Sequence, residues 1–250
     1  MMNSAPIIIL AHGSRHPQAD DVIDTLACAV AEQGDREVRA AHLDFSQDTL
    51  TSVAADLAEA GHTRAVVVPL LFTRAFHMRH DVPQALEDAQ TATGLDLVLA
   101  DGLGTEDDVA EVVARFAMAS ATRANGGNAP HVGRLALYSV GSSVRGANDT
   151  VADFTTVVGR KLSGMCARAG GSRTPVQARS FVATGPQAIE HEFHSFIDEH
   201  TIVQPLFVAP GTLWDKQRCR MPQRGWHSSH LGVALAPLVL TRADAATMPS

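Results

Sequence analysis

Short runs of apolar residues alternate with longer stretches of helical periodicity along the first half of the chain. The apolar runs are rich in β-branched residues and predict strands near residues 7–11, 38–44, 65–72 and 95–100. Each run is apolar enough to be covered on both faces, as the strands of a parallel sheet are. This alternation is typical of βαβ units and predicts an α/β fold.

Between the strands, apolar residues recur at the spacing of an amphipathic helix. The two stripes are Ala19, Ile23, Leu26 and Val30 before Gly34, and Leu50, Val53, Leu57 and Ala60 before Gly61. A glycine just past the last apolar position favours a helix C-cap. A further helix is predicted from about Thr105, because the acidic residues 106–108 suit the N-terminal end of a helix dipole.

The periodicity breaks at residues 124–130, a stretch of glycine, asparagine and proline that is typical of a linker. Strands are predicted again at 135–140 and 201–208. We therefore predict an N-terminal lobe at 1–123, a linker at 124–131 and a C-terminal lobe at 132–250.

The second half repeats features of the first. His12-Gly13-Ser14 aligns with Val140-Gly141-Ser142 at an offset of 128 residues, and residues 69–72 align with 205–208 at an offset of 136. The expected fold is therefore two similar lobes, each a short, mainly parallel sheet flanked by helices.

Two histidines follow predicted strands in the first lobe. His12 comes directly after residues 7–11, and His77 follows residues 65–72. Ligands of open parallel sheets bind beyond the carboxyl ends of the strands, where both imidazoles can converge on a metal and accept protons. Gly13 and Ser14 predict a close-approach turn with a hydroxyl that caps the next helix. On the same offsets Val140 and Leu213 replace the histidines, so their loss is compatible with the fold and we interpret them as functional.

Composition excludes several classes of function. The net charge of −7 disfavours a nucleic-acid or anionic-membrane partner. No apolar run reaches the length of a membrane span, and the N-terminus lacks a signal-peptide core. The three cysteines are far apart, which excludes a cysteine-ligated cluster. We expect a cytoplasmic protein.

A rival constellation lies in the second lobe, where His191 and His194 have helical spacing among glutamates and could form a second metal site. Two other functions would use similar residues. A histidine phosphatase would need an arginine before its histidine, and Ala11 stands there. A non-catalytic metal carrier would share the ligands of an enzyme and stays open.

The ordered motifs resemble those of the sirohydrochlorin chelatases, the class II tetrapyrrole chelatases of siroheme or cobalamin synthesis. The motifs are Leu10-Ala11-His12-Gly13-Ser14-Arg15, His42-Leu43-Asp44-Phe45, Val68-Pro69-Leu70-Leu71 and Phe76-His77-Met78-Arg79-His80-Asp81-Val82-Pro83. The resemblance extends into the degenerate second half through residues 205–211.

By this resemblance the chain inserts Fe²⁺ or Co²⁺ into sirohydrochlorin, and the alternative is a non-catalytic carrier of the tetrapyrrole or the metal. His12 and His77 hold the metal, and one of them also removes pyrrole protons. Asp44 stands where the family usually has glutamate, which leaves direct coordination, a water-mediated role or an orienting role open.

The carboxylates of the macrocycle need hydrogen-bond donors in an acidic protein. The candidates are Ser14, after which the first helix presents free N–H groups, and Arg15, Arg74 and Arg79, which lie near the two histidines. The metal is a substrate, and no tightly bound cofactor is expected. We expect a monomer, with a dimer as the alternative.

Overall fold

The computed structural model describes residues 5–73, 80–142, 144, 146–170, 174–184 and 190–248. The chain forms two compact units. Unit 1 consists of Met1–Gly104 and Gly232–Ser250, and unit 2 consists of Thr105–Leu231.

Unit 1 contains a four-stranded parallel sheet in the order β2-β1-β3-β4. Its elements are β1 (Ile7–Ala11), α1 (Ala19–Gly34), β2 (Val38–His42), α2 (Leu50–Glu59), β3 (Arg64–Pro69), α3 (Val82–Thr93), β4 (Asp96–Leu99) and, from the C-terminal segment, α8 (Ala236–Thr247). Every residue of β1 is buried, as a central strand between two helical layers requires. Apolar residues of α2 and α3 form one core with β1 and β3, and α1 and α8 also pack on the sheet.

Unit 2 repeats this topology with the parallel order β6-β5-β7-β8. Its elements are α4 (Asp107–Ala124), β5 (Arg134–Ser139), α5 (Ala147–Arg168), β6 (Gln177–Val182), α6 (Glu190–Phe196), β7 (Thr201–Pro205), α7 (Thr212–Arg220) and β8 (Trp226–His227). Tyr138, Phe193 and Trp214 belong to an aromatic core on the side of α6 and α7. Helices α4 and α5 also pack on this sheet.

The strand registers confirm both offsets of the predicted repeat. Leu10 pairs with Pro69 in unit 1, and Tyr138 pairs with Pro205 in unit 2. The backbone N–H of Leu70 donates to Leu10, and that of Leu206 donates to Tyr138, at 2.8 and 2.7 Å. The prediction of an α/β fold with two similar parallel sheets is therefore confirmed.

The boundaries of the units differ from those expected for the lobes. The chain passes between units after Gly104 and again after Leu231, rather than at 124–131. Helix α4 lies in the first half of the sequence but packs against β7 and β8 of unit 2. Helix α8 lies in the second half of the sequence but packs against β3 of unit 1. Helical periodicity reveals which face of a helix is apolar, but not which sheet that face will cover.

The two predicted helix-terminal glycines have different roles. Gly61 follows α2 with a φ of 91°, which confirms a left-handed residue at that helix end. The prediction for Gly34 is wrong, because Gly34 is the last helical residue and Asp35 takes the left-handed conformation. A Cβ on Gly34 would lie 2.6 Å from Cδ2 of Leu240, so packing against α8 favours a small residue there.

Within the described residues, no helix combines the length and apolar character needed to cross a membrane.

Candidate functional site

The carboxyl ends of β1, β2 and β3 lie at one edge of the first sheet. The three strands run parallel, with Ala11 opposite His42 and Leu10 opposite Pro69. His12 follows β1 directly, and Asp44 lies two residues beyond β2. The sheet therefore brings these two residues from separate sequence motifs to the same edge.

Backbone hydrogen bonds continue the pairing of β1 and β2 into this edge. The N–H of Leu43 donates to the carbonyl of Ala11, and the N–H of Asp44 donates to the carbonyl of His12, both at 3.0 Å. Gly13 has a φ of 93°, and a Cβ at this position would lie 1.8 Å from the carbonyl oxygen of Asp44. The predicted close approach at Gly13 is thus confirmed, and the approaching group is the backbone of Asp44.

The side chains at this edge combine imidazole and carboxylate. His12 is half-buried, whereas Asp44 is exposed to solvent. Oδ1 of Asp44 accepts a hydrogen bond from the N–H of Phe45 at 2.8 Å, which orients the carboxylate. Imidazole and carboxylate together suit divalent iron, cobalt or zinc. His12 and Asp44 are thus candidate ligands at one edge of the sheet, and their roles stay predictions.

Ser14 and Arg15 follow His12 at the same edge. The Ser14 hydroxyl accepts a hydrogen bond from the N–H of His16 at 3.1 Å, so it stabilises a turn. The prediction that Ser14 caps the first helix is wrong, because α1 begins at Ala19 with Gln18 as its N-cap. Arg15 is exposed, and its Cζ lies 4.8 Å from the centre of the Phe45 ring.

Phe45 is a residue of the site that the sequence analysis did not select. Its ring is 45% exposed and lies nearly parallel to that of His12, with the ring centres 6.4 Å apart. Its backbone is left-handed, with a φ of 62°. The sequence contained one signal, a large aromatic side chain directly after Asp44 in a chain with 5% aromatic residues. Its backbone conformation leaves no such signal.

His77, Arg74 and Arg79 lie outside the described residues. Leu70 bonds to Leu10 through its backbone N–H, so the chain leaves β3 at the edge that carries His12. The predicted roles of these three residues stay predictions.

His42, at the end of β2, is almost fully buried. Its Nε2 lies 3.5 Å from Oδ1 of Asp20 on α1, and neither ring nitrogen makes a hydrogen bond. Partial burial raises the pKa of the neighbouring Asp24; Asp48, Asp20 and Asp21 raise it further, while His42 opposes them. An acidic face of α1 therefore covers this imidazole.

Unit 2 preserves the backbone of the site without its chemistry. The N–H of Thr184 donates to the carbonyl of Val140 at 2.9 Å, as that of Asp44 does to His12. Gly141 has a φ of 84°, and a Cβ there would lie 2.6 Å from the carbonyl oxygen of Thr184. A valine and a threonine thus replace the imidazole and the carboxylate in an equivalent backbone.

The alternative metal site on α6 gains no support. Glu190 and Glu192 pair with Arg220 and Arg179, and Nε2 of His194 accepts a hydrogen bond from the side chain of Gln217 at 2.9 Å. Throughout the described part of the chain, no three histidine, cysteine or acidic residues are arranged to hold a metal ion by themselves.

Comparison with known proteins identifies relatives of this chain. Residues 6–118 match the model of the CbiX family. The sirohydrochlorin cobaltochelatase of Sulfurisphaera tokodaii is 29% identical over 107 residues, which cover 43% of this chain and 86% of that protein.

Solved structures match the fold over almost the whole chain. SirB from Bacillus subtilis with Fe³⁺ has a TM-score of 0.69 and 19% identity, covering 97% of this chain and 95% of that one. CbiX, described as the terminal enzyme of siroheme biosynthesis in denitrifying bacteria, has a TM-score of 0.69 and 18% identity, covering 98% of this chain and 100% of that one. The likeness therefore extends to both units and not only to residues 6–118.

Proposed function

Because the chain belongs to the sirohydrochlorin chelatase family, we propose that it inserts a divalent metal ion, Fe²⁺ or Co²⁺, into sirohydrochlorin. The observation that supports this proposal is the backbone hydrogen bond between Asp44 and His12, which brings an imidazole-bearing and a carboxylate-bearing residue to the carboxyl edge of one parallel sheet. This edge is where open α/β sheets bind their ligands.

The reaction exchanges one metal ion for two protons. The incoming ion loses part of its water shell and is held by few protein ligands, so that the pyrrole nitrogens of the macrocycle can replace them. His12 holds the ion through its imidazole. Two pyrrole N–H protons leave as the metal–nitrogen bonds form, and an imidazole accepts a proton readily near neutral pH. The products are the metallated macrocycle and two protons.

The remaining predicted residues complete this proposal. His77 supplies the second imidazole, and one of the two histidines acts as the base. Ser14, Arg15, Arg74 and Arg79 bind the carboxylates of the macrocycle. Arg15 suits this role because its guanidinium lies at the exposed edge near His12, next to Phe45.

The metal ion is a substrate here and not a resident cofactor. Imidazole and carboxylate accept both Fe²⁺ and Co²⁺, so assays with each ion decide between them. We keep the monomer as the proposed state, with a dimer as the alternative, and no nucleic acid or membrane as a partner. The three cysteines are free thiols, which suits the reducing conditions of the proposed cytoplasmic location.

The direct test is metal insertion by wild type, His12→Ala and His77→Ala, followed by absorbance of the macrocycle with Fe²⁺ and with Co²⁺. We expect each substitution to reduce turnover at least about a hundredfold, because a group that binds the reacting metal is removed. His191→Ala is the matched control, since this exposed histidine lies on α6. It should keep wild-type turnover.

Thermal unfolding separates the chemical effect from a folding defect. His12→Ala should unfold near the wild-type temperature, because unit 2 has the same backbone turn with Val140 in this position. Wild-type turnover in a folded His12→Ala variant would exclude the proposed site. Wild-type protein that binds sirohydrochlorin and metal without releasing a metallated product would instead be a carrier.

A further inference from the structure

The backbone of Phe45 has an unusual conformation for a bulky residue. Among the described residues, Asp35 and Phe45 are the non-glycine residues with a positive φ. Asp35 ends α1, where a left-handed residue is common and a short polar side chain tolerates it. Phe45 neither ends a helix nor has a short polar side chain, and it remains 45% exposed. Strain of this kind persists where the surroundings impose it, often at functional sites.

Three contacts of Phe45 lead to predicted site residues. Its ring lies at 19° to that of His12, and the guanidinium of Arg15 lies over the ring, 4.8 Å from its centre. Its backbone N–H donates to Oδ1 of Asp44 at 2.8 Å. One residue thus connects the imidazole, the carboxylate and the arginine of the candidate site.

The second half of the sequence offers a comparison. Thr184 corresponds to Asp44 by its hydrogen bond to Val140, and the next residue in the sequence is Gly185. The copy that lacks the histidine therefore has a glycine where the first copy has phenylalanine. Glycine takes a positive φ without strain, so the turn itself does not require an aromatic residue.

We propose that Phe45 is a positioning residue of the chelatase site, whose ring orients His12 for the metal and Arg15 for a carboxylate of the macrocycle. This proposal rests on the proposed function. The parallel ring restricts rotation of the imidazole, and the guanidinium held over the ring loses less conformational freedom when it binds an anion. The left-handed backbone of Phe45 places the ring between His12 and Arg15 in the absence of substrate.

The test compares Phe45→Gly, Phe45→Leu and Phe45→Tyr with wild type. Phe45→Gly removes the ring and relieves the backbone strain, so the unfolding temperature should stay within a few degrees of wild type or rise. The Kd for Co²⁺ without macrocycle should increase about tenfold, as it does when groups that orient metal ligands are removed. The KM for sirohydrochlorin should increase about two- to fivefold through the loss of the contact with Arg15.

The other variants separate positioning from simple bulk. Phe45→Leu keeps an apolar side chain but no aromatic face, and it should remain impaired in both Kd and KM. Phe45→Tyr keeps the aromatic face and should have the Kd and the KM of the wild type. Asp35→Gly is the control, since it releases a left-handed non-glycine residue between α1 and β2, at the opposite edge of the sheet. It should leave Kd and KM unchanged.

Wild-type Kd and KM in Phe45→Gly would overturn the proposal, as would equal values for the leucine and tyrosine variants. If Phe45→Gly fails to fold, the leucine and tyrosine pair gives the same decision. Wild-type protein that binds Co²⁺ but makes no metallated product with either Co²⁺ or Fe²⁺ would end the proposed function, and the Co²⁺ titrations of the variants would still test the role of Phe45. Wild-type protein that binds neither Co²⁺ nor Fe²⁺ would overturn both.

Discussion

Gly13 determines how closely the two halves of the candidate site approach each other. Its φ of 93° and its contact with the backbone of Asp44 are separate requirements. A side chain there would be strained by the conformation and would also collide with a carbonyl group that β1 and β2 hold in place. Gly61 also has a left-handed backbone, with a φ of 91°, but a Cβ there would meet no atom within 4 Å.

These two glycines provide a matched experiment. We expect Gly61→Ala to lower the free energy of unfolding by about 1 kcal/mol, the cost of the left-handed conformation. Gly13→Ala should lower it by about 2–5 kcal/mol, because a collision with the backbone is added to that cost. Denaturant unfolding of both variants measures the difference. Equal losses would mean that the Asp44 backbone moves aside freely.

Asp44 can be tested without disturbing its turn. Asparagine retains an oxygen that accepts the N–H of Phe45, so Asp44→Asn removes charge but keeps the hydrogen bond. If the carboxylate orients the site, turnover should fall about tenfold while the Co²⁺ affinity changes little, and Asp44→Glu should remain active. Calorimetric Co²⁺ titration checks this. A loss of affinity of more than about a hundredfold in Asp44→Asn would instead identify a direct ligand.

At the scale of elements, the contact of α5 with β6 depends on a small residue. Gly159 lies inside α5, and a Cβ there would be 2.5 Å from Cβ of Ala178 on β6, which cannot rotate away. Gly164 lies on the same helix, and a Cβ there would first meet the guanidinium of Arg168 at 3.4 Å, at the end of a flexible side chain. Helix propensity alone would favour alanine at both positions.

Packing and propensity therefore predict opposite results on one helix. Gly164→Ala should stabilise the protein by about 0.5–1 kcal/mol, the difference in helix propensity. Gly159→Ala should destabilise it by about 1–3 kcal/mol, because overpacking against β6 exceeds that gain. Thermal unfolding of the two variants tests this, and a stabilised Gly159→Ala would show that α5 can shift on the sheet. Ala178→Gly should rescue Gly159→Ala.

At the scale of the whole molecule, each unit takes one helix from the other half of the sequence. Helix α4 follows β4 of unit 1 in the chain but packs within unit 2, and α8 follows β8 but packs within unit 1. Buried residues of α4 include Val109, Val113 and Ala117, so this helix carries an apolar face that needs a cover. Neither sequence half contains all the helices of its own unit.

A fragment of residues 1–123 should therefore not form a stable monomer. It lacks α8 on its sheet and exposes the apolar face of α4, and we expect it to self-associate. A fragment of residues 1–104 joined by a flexible linker to 232–250 contains a complete unit 1 and should be monomeric and cooperatively folded. Analytical ultracentrifugation over a range of concentrations distinguishes the two. A monomeric, cooperatively folding 1–123 fragment would contradict the exchange of helices.

Local patterns in the sequence determined the fold class, the central strands, the internal repeat and the turn at Gly13. These features depend on residue spacing and backbone conformation, which neighbouring residues largely specify. Tertiary structure alone decided the partner of each long helix, the packing role of Gly34 and the pairing of His12 with Asp44 across β1 and β2. It also decided the place of Phe45, because a left-handed aromatic residue between His12 and Arg15 arises from contacts between segments distant in sequence. Periodicity reports which face of an element is apolar, whereas the identity of what covers that face depends on the packing of the whole chain.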